Sequence, residues 1–227
     1  MRSTGRCAVR YPGKAKTGHE NQLMNKQPCL YLASGSPRRR ELLQGLGFEL
    51  IRLSADIDET PQLHEAADTY VLRMARQKNA AALAQWRAQH AAAPAYPVLS
   101  ADTTVALGNH ILGKPANAVE ARAMLQQLSG NTHQVLTAVC VSVAGQCFDV
   151  LQSSDVRFKT LSGAEIEAYI ASGEPMDKAG AYGIQGLGGV FVAHLSGSFT
   201  GVMGLPVYET MQLLQQCGVA VPPFQAA

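Results

Sequence analysis

Apolar positions change their spacing repeatedly along the chain, and each change marks the edge of an expected helix or strand. Short apolar runs between turn residues predict strands, whereas apolar residues three and four apart predict helices. The pattern predicts strands over 29–33, 49–53, 98–107, 111–112, 132–143, 148–158 and 190–195. It predicts helices over 37–46, 66–92, 118–128, 163–171 and 205–216. Because helices alternate with strands and some long strands follow one another directly, we expect an α/β fold with a mixed sheet.

Turn and capping residues support several of these boundaries. Ser36 fits the N-cap of the first helix, Pro37 its first position and Gly47 the glycine that ends it. The polar segment 54–65 is expected to be a loop. The glycine-rich segment 179–189 is also expected to be a loop, since glycine suits tight turns and close backbone packing.

Charge is unevenly distributed along the chain. The 227 residues carry a formal net charge of +2, and 47% of them are hydrophobic. Residues 1–28 contain six Lys or Arg and one Glu, which leaves 13 basic and 16 acidic residues for the remainder. The expected folded part is therefore mildly acidic and lacks the basic surface of a nucleic-acid-binding domain. We expect no nucleic-acid partner.

Residues 1–27 differ from the rest in being polar, basic and without helical or strand periodicity, so we expect a disordered tail. The tail lacks the apolar core of a secretory signal, and Met24 is an alternative start of translation just before the first strand. No segment approaches the roughly 20 apolar residues that span a bilayer, so no membrane partner is expected. Five cysteines without a CxxC pair indicate free thiols in a reducing compartment.

The first candidate site lies where the first strand passes into the first helix, in the segment 33–40, which reads Ala-Ser-Gly-Ser-Pro-Arg-Arg-Arg. Free backbone N–H groups and the helix dipole favour an anion at a helix N-terminus. The guanidinium groups of Arg38 and Arg39 can each bind two phosphate oxygens. These residues predict a phosphate site; the alternative is a capped surface helix whose arginines are solvated.

Two charged residues interrupt apolar patterns. Lys78 falls on the apolar stripe of the second helix, where it either extends along the surface to solvent or points into a site and meets an anion. Asp102 lies between apolar runs of one strand, where burial of a carboxylate is unfavourable unless it is paired or binds metal. A strand-end turn is the other explanation for Asp102, so each residue alone leaves two interpretations open.

Three further residues belong to the set of candidates. Lys114 is held between a glycine and a proline after an expected hairpin. Glu59 lies on an acidic loop that is either solvated or part of a site. Gln185, in the glycine-rich segment, offers an amide that can read the edge of a base, although that segment is equally well explained as a structural turn.

Several common nucleotide and metal motifs do not occur in the sequence. It has no GxxxxGK[ST] loop, no GxGxxG after a strand and no HExxH or CxxC cluster. Its histidines are scattered, and His133 and His194, which border apolar runs, are expected to be satisfied structural residues. What remains is arginine and lysine for phosphates, carboxylates for a hard cation and an amide for a base. This inventory is typical of a Mg²⁺-dependent nucleotide hydrolase.

An opening motif and six that follow it occur in the order of one known family. They are Leu32–Arg39, Tyr70–Arg73 with Lys78, Ala101–Thr103, Leu112–Pro115, Leu128–Gly130 with His133, Asp177–Gly186 and Gly204–Pro206. In this combination the chain resembles the Maf family of nucleotide pyrophosphatases, which are similar to septum formation inhibitors. The resemblance covers about residues 30–214.

The resemblance implies a branch of the family. Arg38, Thr103 and Gln185 match the specificity positions of dTTP/UTP pyrophosphatases, whereas the sister branch that acts on 7-methylated GTP typically carries Trp, Gln and Glu there. The implied reaction is hydrolysis of dTTP, UTP or a modified pyrimidine nucleotide to the monophosphate and pyrophosphate. The alternatives are a 7-methyl-GTP pyrophosphatase and a regulator of cell division that binds nucleotide without turnover.

The resemblance also implies roles for individual residues. Glu59 and Asp102 would hold Mg²⁺ or Mn²⁺, and Asp102 would accept the proton of the attacking water. Thr103 and Gln185 would read the pyrimidine. The remaining substrate-binding residues would be Ser34, Arg38, Arg39, Lys78 and Lys114.

The implied architecture is an elongated mixed β-sheet flanked by helices around a deep central cleft, similar to ITPases. A single catalytic domain of two closely joined lobes would span residues 28–220. The resemblance further implies a cytoplasmic homodimer.

Overall fold

One mixed sheet organises the part of the chain that the computed structural model describes, residues 28–219 and residue 221. Its strands are β1 (Cys29–Ala33), β2 (Glu49–Arg52), β3 (Val98–Leu107), β4 (His110–Leu112), β5 (Thr132–Val143), β6 (Gln146–Phe158) and β7 (Val192–Ser196). Along the sheet they follow the order β2-β1-β3-β5-β6-β7, and β4 pairs with β3. The two pairings of β1 are parallel and the others are antiparallel, which confirms the predicted mixed sheet. The predicted tail over 1–27 lies outside the described residues.

Helices cover both faces of this sheet. They are α1 (Pro37–Gly45), α2 (Ala67–Gln89), α3 (Ala118–Leu128), α4 (Gly163–Ala171), α5 (Phe199–Met203) and α6 (Val207–Gln216). Short 3₁₀ turns at Glu174–Asp177, Ala179–Ala181 and Leu187–Phe191 connect α4 to β7. The predicted α/β fold with flanking helices is therefore confirmed.

The alternation of side chains along β3 and β5 decides which helix covers which face, because successive residues of a strand point to opposite sides. Ala106, Ala138 and Cys140 point to one face and pack against apolar residues of α2. Leu99 and Val139 point to the other face and pack among α1 and α6. At the far end of that second face, α3 and α4 enclose a further core with residues of β5 and β6. The sheet is therefore fixed from both sides.

Most predicted boundaries agree with the structure within one or two residues, and the differences have local causes. The long helix ends at Gln89, before the predicted limit at 92, because Trp86 donates its indole N–H to the carbonyl of Ala92 and turns the chain back. The last strand begins at Val192 because residues 187–191 form a 3₁₀ turn. Pro206 precedes α6, so the predicted helix over 205–216 starts two residues later.

The β5–β6 hairpin is longer than predicted. Ala144 and Gly145 have φ angles of 50° and 80°, and this left-handed pair closes a two-residue turn whose twist matches the strands. Strand β6 consequently begins at Gln146 instead of Phe148. Cys140 and Cys147 of this hairpin are free thiols, as are Cys29 and Cys217, which agrees with the prediction for these four described cysteines.

His133 occupies the core between α3, α4 and the sheet. Its ring contacts Phe158 and Tyr182 edge to face, and Nε2 lies 2.8 Å from the hydroxyl of Tyr182. Nδ1 is buried without a hydrogen-bond partner in the described part of the chain, so the expectation of a fully satisfied histidine was wrong for this nitrogen. Burial lowers the pKa of His133 to about 4, since the core disfavours the imidazolium.

This burial makes stability depend on pH. The unfolded chain binds the His133 proton near its ordinary pKa of 6.5, so the stabilisation is complete above that value and is lost as pH falls toward 4. Between pH 7 and 4.5 we expect a contribution of about 2 kcal/mol to the loss of unfolding free energy. In urea unfolding, the unfolding free energy of His133→Gln should therefore fall by about 2 kcal/mol less than that of wild type between pH 7 and 4.5. His194→Gln, at an exposed histidine of β7, is the control, and equal slopes for all three proteins would contradict the prediction.

Within the described ranges, no helix combines the length and the apolar character that crossing a bilayer requires.

Candidate active site

A gap in the sheet creates the site. Strand β1 pairs with β3 as far as Ser100, and β4 takes up the same edge of β3 only at Val105. No described strand covers that edge between Ala101 and Thr104, although β5 pairs with the opposite edge throughout. The uncovered edge lies just beyond the carboxyl end of β1, which is where ligands bind in open α/β sheets.

A cleft of about 1090 Å³ opens at this gap. It brings together residues from β1, α1, the loop after β2, α2, β3, the loop after β4 and the glycine-rich segment. All nine predicted site residues line it: Ser34, Arg38, Arg39, Glu59, Lys78, Asp102, Thr103, Lys114 and Gln185.

Asp102, Lys78 and Glu59 form a charged group on the face of the sheet that α2 covers. The Lys78 ammonium lies 2.6 Å from Oδ1 of Asp102 and 2.8 Å from Oε1 of Glu59. Asp102 and Lys78 have side chains only 11% and 12% exposed, whereas Glu59 is half-exposed at 47%. Lys78 therefore points into the site, and Asp102 is a paired strand residue. The structure thus places Lys78 against the cleft and not along the solvent surface, and it places Asp102 within β3 and not at a strand-end turn.

Hydrogen bonds between α2 and the sheet determine where Lys78 lies. Its neighbour Asn79 is buried and donates its amide N–H groups to the carbonyls of Val98 and Cys140. Ser100 donates to the carbonyl of Ala75, one turn earlier in α2, at 2.7 Å. Because these bonds fix α2 on β3 and β5, the ammonium is held over Asp102.

The loop that carries Glu59 is anchored to the start of α2. Tyr70 donates its hydroxyl to the carbonyl of Glu59 at 2.9 Å, and Arg73 binds both oxygens of the Glu65 carboxylate. Burial, together with the charges of Asp102 and Glu59, raises the pKa of Tyr70 to about 12, so it remains a donor. Partial burial raises the pKa of Glu59. The hydrogen bond and charge of Lys78, together with the charge of Lys114, lower this pKa by more, so the net shift is downward. Glu59 is therefore anionic at neutral pH.

Arg39 is hydrogen-bonded within the protein where it lines the cleft. Its guanidinium is buried and donates to the carbonyl of Gly204 at 2.7 Å, to Ser34 Oγ at 3.1 Å and to Thr103 Oγ1 at 3.0 Å. These bonds use the Nε–H and one N–H of each Nη, so one N–H of Nη1 and one of Nη2 remain for a ligand in the cleft that Arg39 lines. Arg39 also joins the β1–α1 junction to β3.

Thr103 lies on the opposite face of β3 from Asp102, beside Arg39. Its hydroxyl is 2.9 Å from that of Thr137, its partner on β5. Thr137 donates its own proton to the carbonyl of Gly201, so Thr103 must be the donor to Thr137. Thr103, which was predicted to read the base, therefore donates its only hydroxyl proton within the protein, and its oxygen accepts an N–H of Arg39.

Arg38, Lys114 and Gln185 line the cleft with polar groups that have at most one distant partner in the described part of the protein. Arg38 lies 3.8 Å from the Asp177 carboxylate, beyond direct hydrogen-bond distance, and its side chain is 30% exposed. Among the described residues, the side chains of Lys114 and Gln185 have no hydrogen-bond or ion-pair partner, and both residues are exposed. These three groups are available to a ligand.

Comparison with known proteins identifies the family of this chain. A family model described as Maf-like protein matches residues 29–217. This chain belongs to the Maf family. A Maf relative from Haemophilus ducreyi, a nucleoside triphosphate pyrophosphatase, is 57% identical over 194 residues, which cover 86% of this chain and 98% of the relative. A dTTP/UTP pyrophosphatase from Pasteurella multocida is 59% identical over 191 residues, covering 83% and 96%.

A solved structure shows a weaker likeness to this Maf protein. It is described as the Staphylococcus aureus Ham1 protein and has a TM-score of 0.40 and 14% sequence identity. The match covers 57% of this chain and 71% of that chain. The resemblance to the Maf family seen in the ordered motifs is confirmed by the family model and by the two sequence relatives.

The Maf cleft contains residues that the sequence did not single out. Arg52 lines it from the end of β2, and Glu174 lines it from the 3₁₀ turn after α4. Thr137 and Tyr169 lie behind it and form hydrogen bonds with Thr103 and Gly183, which line it. No local pattern marks these four residues, because their partners are distant in sequence. The one sequence signal among these four is the position of Glu174, three residues before the Asp177–Gly186 motif, which indicates that it lies near the site.

The carboxylates of this Maf site fit a hard divalent cation. Glu59 and Asp102 already share one positive charge, the Lys78 ammonium, and both offer oxygen ligands. Among residues 28–219 and 221 there is no cluster of three or more His, Cys, Asp or Glu suited to a metal. Mg²⁺ is commonly held by one or two carboxylates together with substrate phosphates. The donor set therefore suits a cation that is shared with a phosphate ligand.

Proposed function

We propose that this chain is a nucleoside triphosphate pyrophosphatase that hydrolyses dTTP and UTP to the monophosphate and pyrophosphate. One observation carries the proposal: a single cleft combines a carboxylate pair, free basic side chains and a free amide at an uncovered strand edge. The names of the Maf relatives from Haemophilus ducreyi and Pasteurella multocida support the same activity.

The triphosphate binds between the N-terminus of α1 and Lys114. Arg38 and Lys114 have free charged groups for the phosphate oxygens, and the N-terminal end of α1 adds its dipole. Ser34 is held by Arg39 and itself accepts the N–H of Ser36, so it shapes this junction. Arg39 contributes its positive charge from within the wall and keeps Ser34 and Thr103 in place.

Asp102 accepts the proton of the attacking water. Lys78, 2.6 Å away, orients the carboxylate and keeps it between α2 and the uncovered edge of β3. The water oxygen forms a bond to the α-phosphorus, the bond from that phosphorus to the bridging oxygen breaks, and pyrophosphate leaves. Arg38 and Lys114 stabilise the negative charge on the leaving pyrophosphate.

A divalent cation, Mg²⁺ or Mn²⁺, belongs to this proposal as a cofactor held by Glu59 and Asp102. When bound, it supplies neutralisation of the triphosphate charge. Gln185 reads the pyrimidine because its amide is free to donate and to accept. Thr103 donates its hydroxyl proton to Thr137, so it contributes to the base site through its position beside the cleft.

Two other functions are less well supported by the site. A 7-methyl-GTP pyrophosphatase would differ at Arg38, Thr103 and Gln185, the positions at which this sequence matches the dTTP/UTP branch. A regulator that binds nucleotide without turnover would not need Asp102 paired with Lys78 beside the phosphate site. We retain both as outcomes of the test.

The test measures pyrophosphate release from dTTP, UTP, CTP, 5-methyl-UTP, GTP and 7-methyl-GTP with Mg²⁺ or Mn²⁺. We expect the largest kcat/KM for dTTP and UTP, equimolar monophosphate and pyrophosphate, and loss of activity with chelator. Tight nucleotide binding without release from any triphosphate would favour the regulator. Preference for 7-methyl-GTP would assign the chain to the sister branch.

We further propose that the protein acts in the cytoplasm as a homodimer, which rests on the family resemblance. Light scattering of the purified protein gives its mass directly, and a monomer at micromolar concentration would contradict the dimer.

A further inference from the structure

The loop that carries Gln185 is shaped by two residues that come before it in the chain. Gln185 faces the cleft from the segment Gly183–Gly189, which is not part of the sheet. A side-chain amide on a free loop contributes little to selectivity unless its backbone is fixed, because the cost of ordering it offsets the hydrogen bonds. The contacts that fix this loop therefore bear on which base is accepted.

Glu174 holds the part of the loop that follows Gln185. Its Oε2 accepts the backbone N–H of Leu187 at 2.8 Å, and its Oε1 accepts that of Gly188 at 3.1 Å. Burial raises the pKa of Glu174, but these backbone hydrogen bonds and the Tyr169 hydroxyl outweigh it, so the net shift is downward. A charged carboxylate thus binds two successive amides, which is the stronger form of such a contact.

Tyr169 holds the part of the loop that precedes Gln185. Its hydroxyl donates to Oε1 of Glu174 at 2.9 Å and accepts the backbone N–H of Gly183 at 3.1 Å. Burial raises the pKa of Tyr169, so the hydroxyl keeps its proton. The pair therefore binds the loop on both sides of Gln185, and we call Glu174 and Tyr169 the loop clamp.

Glycines allow the loop to lie directly on the loop clamp. A Cβ atom at Gly186 would overlap the Glu174 carboxylate, and one at Gly188 would come within 2.7 Å of the Tyr169 hydroxyl. Real Cβ atoms do not approach other atoms so closely. The residue directly after Gln185 must therefore be glycine for the clamp to close, which accounts for part of the glycine density seen in the sequence.

We propose that the loop clamp sets base selectivity by positioning Gln185. Glu174 and Tyr169 are positioning residues, since both carboxylate oxygens and the tyrosine hydroxyl are occupied by the protein. The inference rests on the proposed function, because it assigns the base-reading role to Gln185. It adds to that function one residue that lines the cleft, Glu174, and one behind it, Tyr169, which together affect the choice of nucleotide through Gln185.

The test compares Tyr169→Phe, Glu174→Gln and Gln185→Ala with wild type. Selectivity is read as the UTP-to-CTP and UTP-to-GTP ratios of kcat/KM, and as the ratio of dissociation constants for α,β-imido analogues of UTP and CTP. We expect each clamp variant to lose roughly tenfold in these ratios, which is the effect of about one hydrogen bond. The inhibition constant of inorganic pyrophosphate should remain within about twofold of wild type, since Arg38 and Lys114 lie outside the clamp.

Two further measurements separate positioning from general weakening of the fold. Loss of folded protein lowers activity equally for all nucleotides and leaves the ratios unchanged. Tyr169→Phe in the Gln185→Ala background should cause no further loss of selectivity, because the clamp acts through Gln185. Glu167→Gln on α4, at an exposed ion pair with Arg122 of α3, is the matched control and should behave as wild type. If Glu174→Gln fails to fold, the conservative Tyr169→Phe carries the test.

The proposal is overturned if the clamp variants keep wild-type ratios while Gln185→Ala loses them, or if Gln185→Ala itself keeps them. Either result leaves pyrophosphate release by wild type intact, so the proposed function would stand. Absence of release from every triphosphate would instead refute the proposed function, and the binding ratios of the imido analogues would still decide whether the clamp positions Gln185.

Discussion

Asp102→Asn is expected to lower kcat for dTTP and UTP by about 10³-fold or more, because the amide cannot accept the proton of the attacking water. Asparagine has the same shape as aspartate, and Lys78 keeps Glu59 as a partner at 2.8 Å. The fold should therefore survive the change. Pyrophosphate release measures turnover, and circular dichroism with urea unfolding measures the fold.

A surface aspartate provides the control for this variant. Asp149→Asn removes the exposed ion pair between β6 and Arg76 of α2, at a distance from the cleft. We expect near-normal turnover and a stability change below about 1 kcal/mol. Turnover by Asp102→Asn within tenfold of wild type, with the protein folded, would remove Asp102 from the reacting centre.

Lys78→Met is expected to have two opposite effects, a large loss of turnover and a gain in affinity for the metal alone. Turnover should fall by roughly 10²-fold or more, because the carboxylate of Asp102 loses the group that orients it. In wild type without nucleotide, the ammonium lies between the two carboxylates that would hold a cation. Its removal eliminates a competing positive charge, so Mn²⁺ should bind roughly tenfold tighter or more.

Electron paramagnetic resonance of free Mn²⁺ measures this affinity in nucleotide-free protein and does not depend on activity. Lys159→Met, which removes an exposed ion pair with Glu165, is the matched control and should bind Mn²⁺ as wild type does. Mn²⁺ affinity of Lys78→Met equal to or weaker than that of wild type would show that the ammonium and the cation do not share the Glu59–Asp102 pair.

Local signals were enough to place most helices and strands. Ser36, Pro37 and Gly47 mark α1 because capping depends on residues a few positions apart. Helix α5 has only five residues, too few for a periodic pattern, and was not predicted. The predicted start of β6 at Phe148 is two residues too late, because an alanine at position 144 does not signal the two-residue turn that precedes the strand.

The composition of the site could be predicted, but its internal bonding could not. All nine candidate residues line one cleft, since their types and motifs record the chemistry that each contributes. The partners of Arg39 depend on the tertiary fold, because Gly204 and Thr103 lie 165 and 64 residues away. For the same reason the sequence did not indicate that Arg39 donates three hydrogen bonds within the protein, or that the Thr103 hydroxyl bonds to that of Thr137.

The gap between β1 and β4 has a consequence for how the substrate range of such a protein can change. Asp102 and Thr103 belong to a strand that β5 pairs along nine residues, so their positions depend on the whole sheet. Arg38 and Gln185 reach the same gap from a helix end and a loop, each held by a few contacts. Under the proposed function, the reacting carboxylate Asp102 is fixed by the whole sheet, whereas the base-reading amide of Gln185 depends on one loop. Substitutions around that loop are then expected to change which nucleotide is accepted without displacing Asp102.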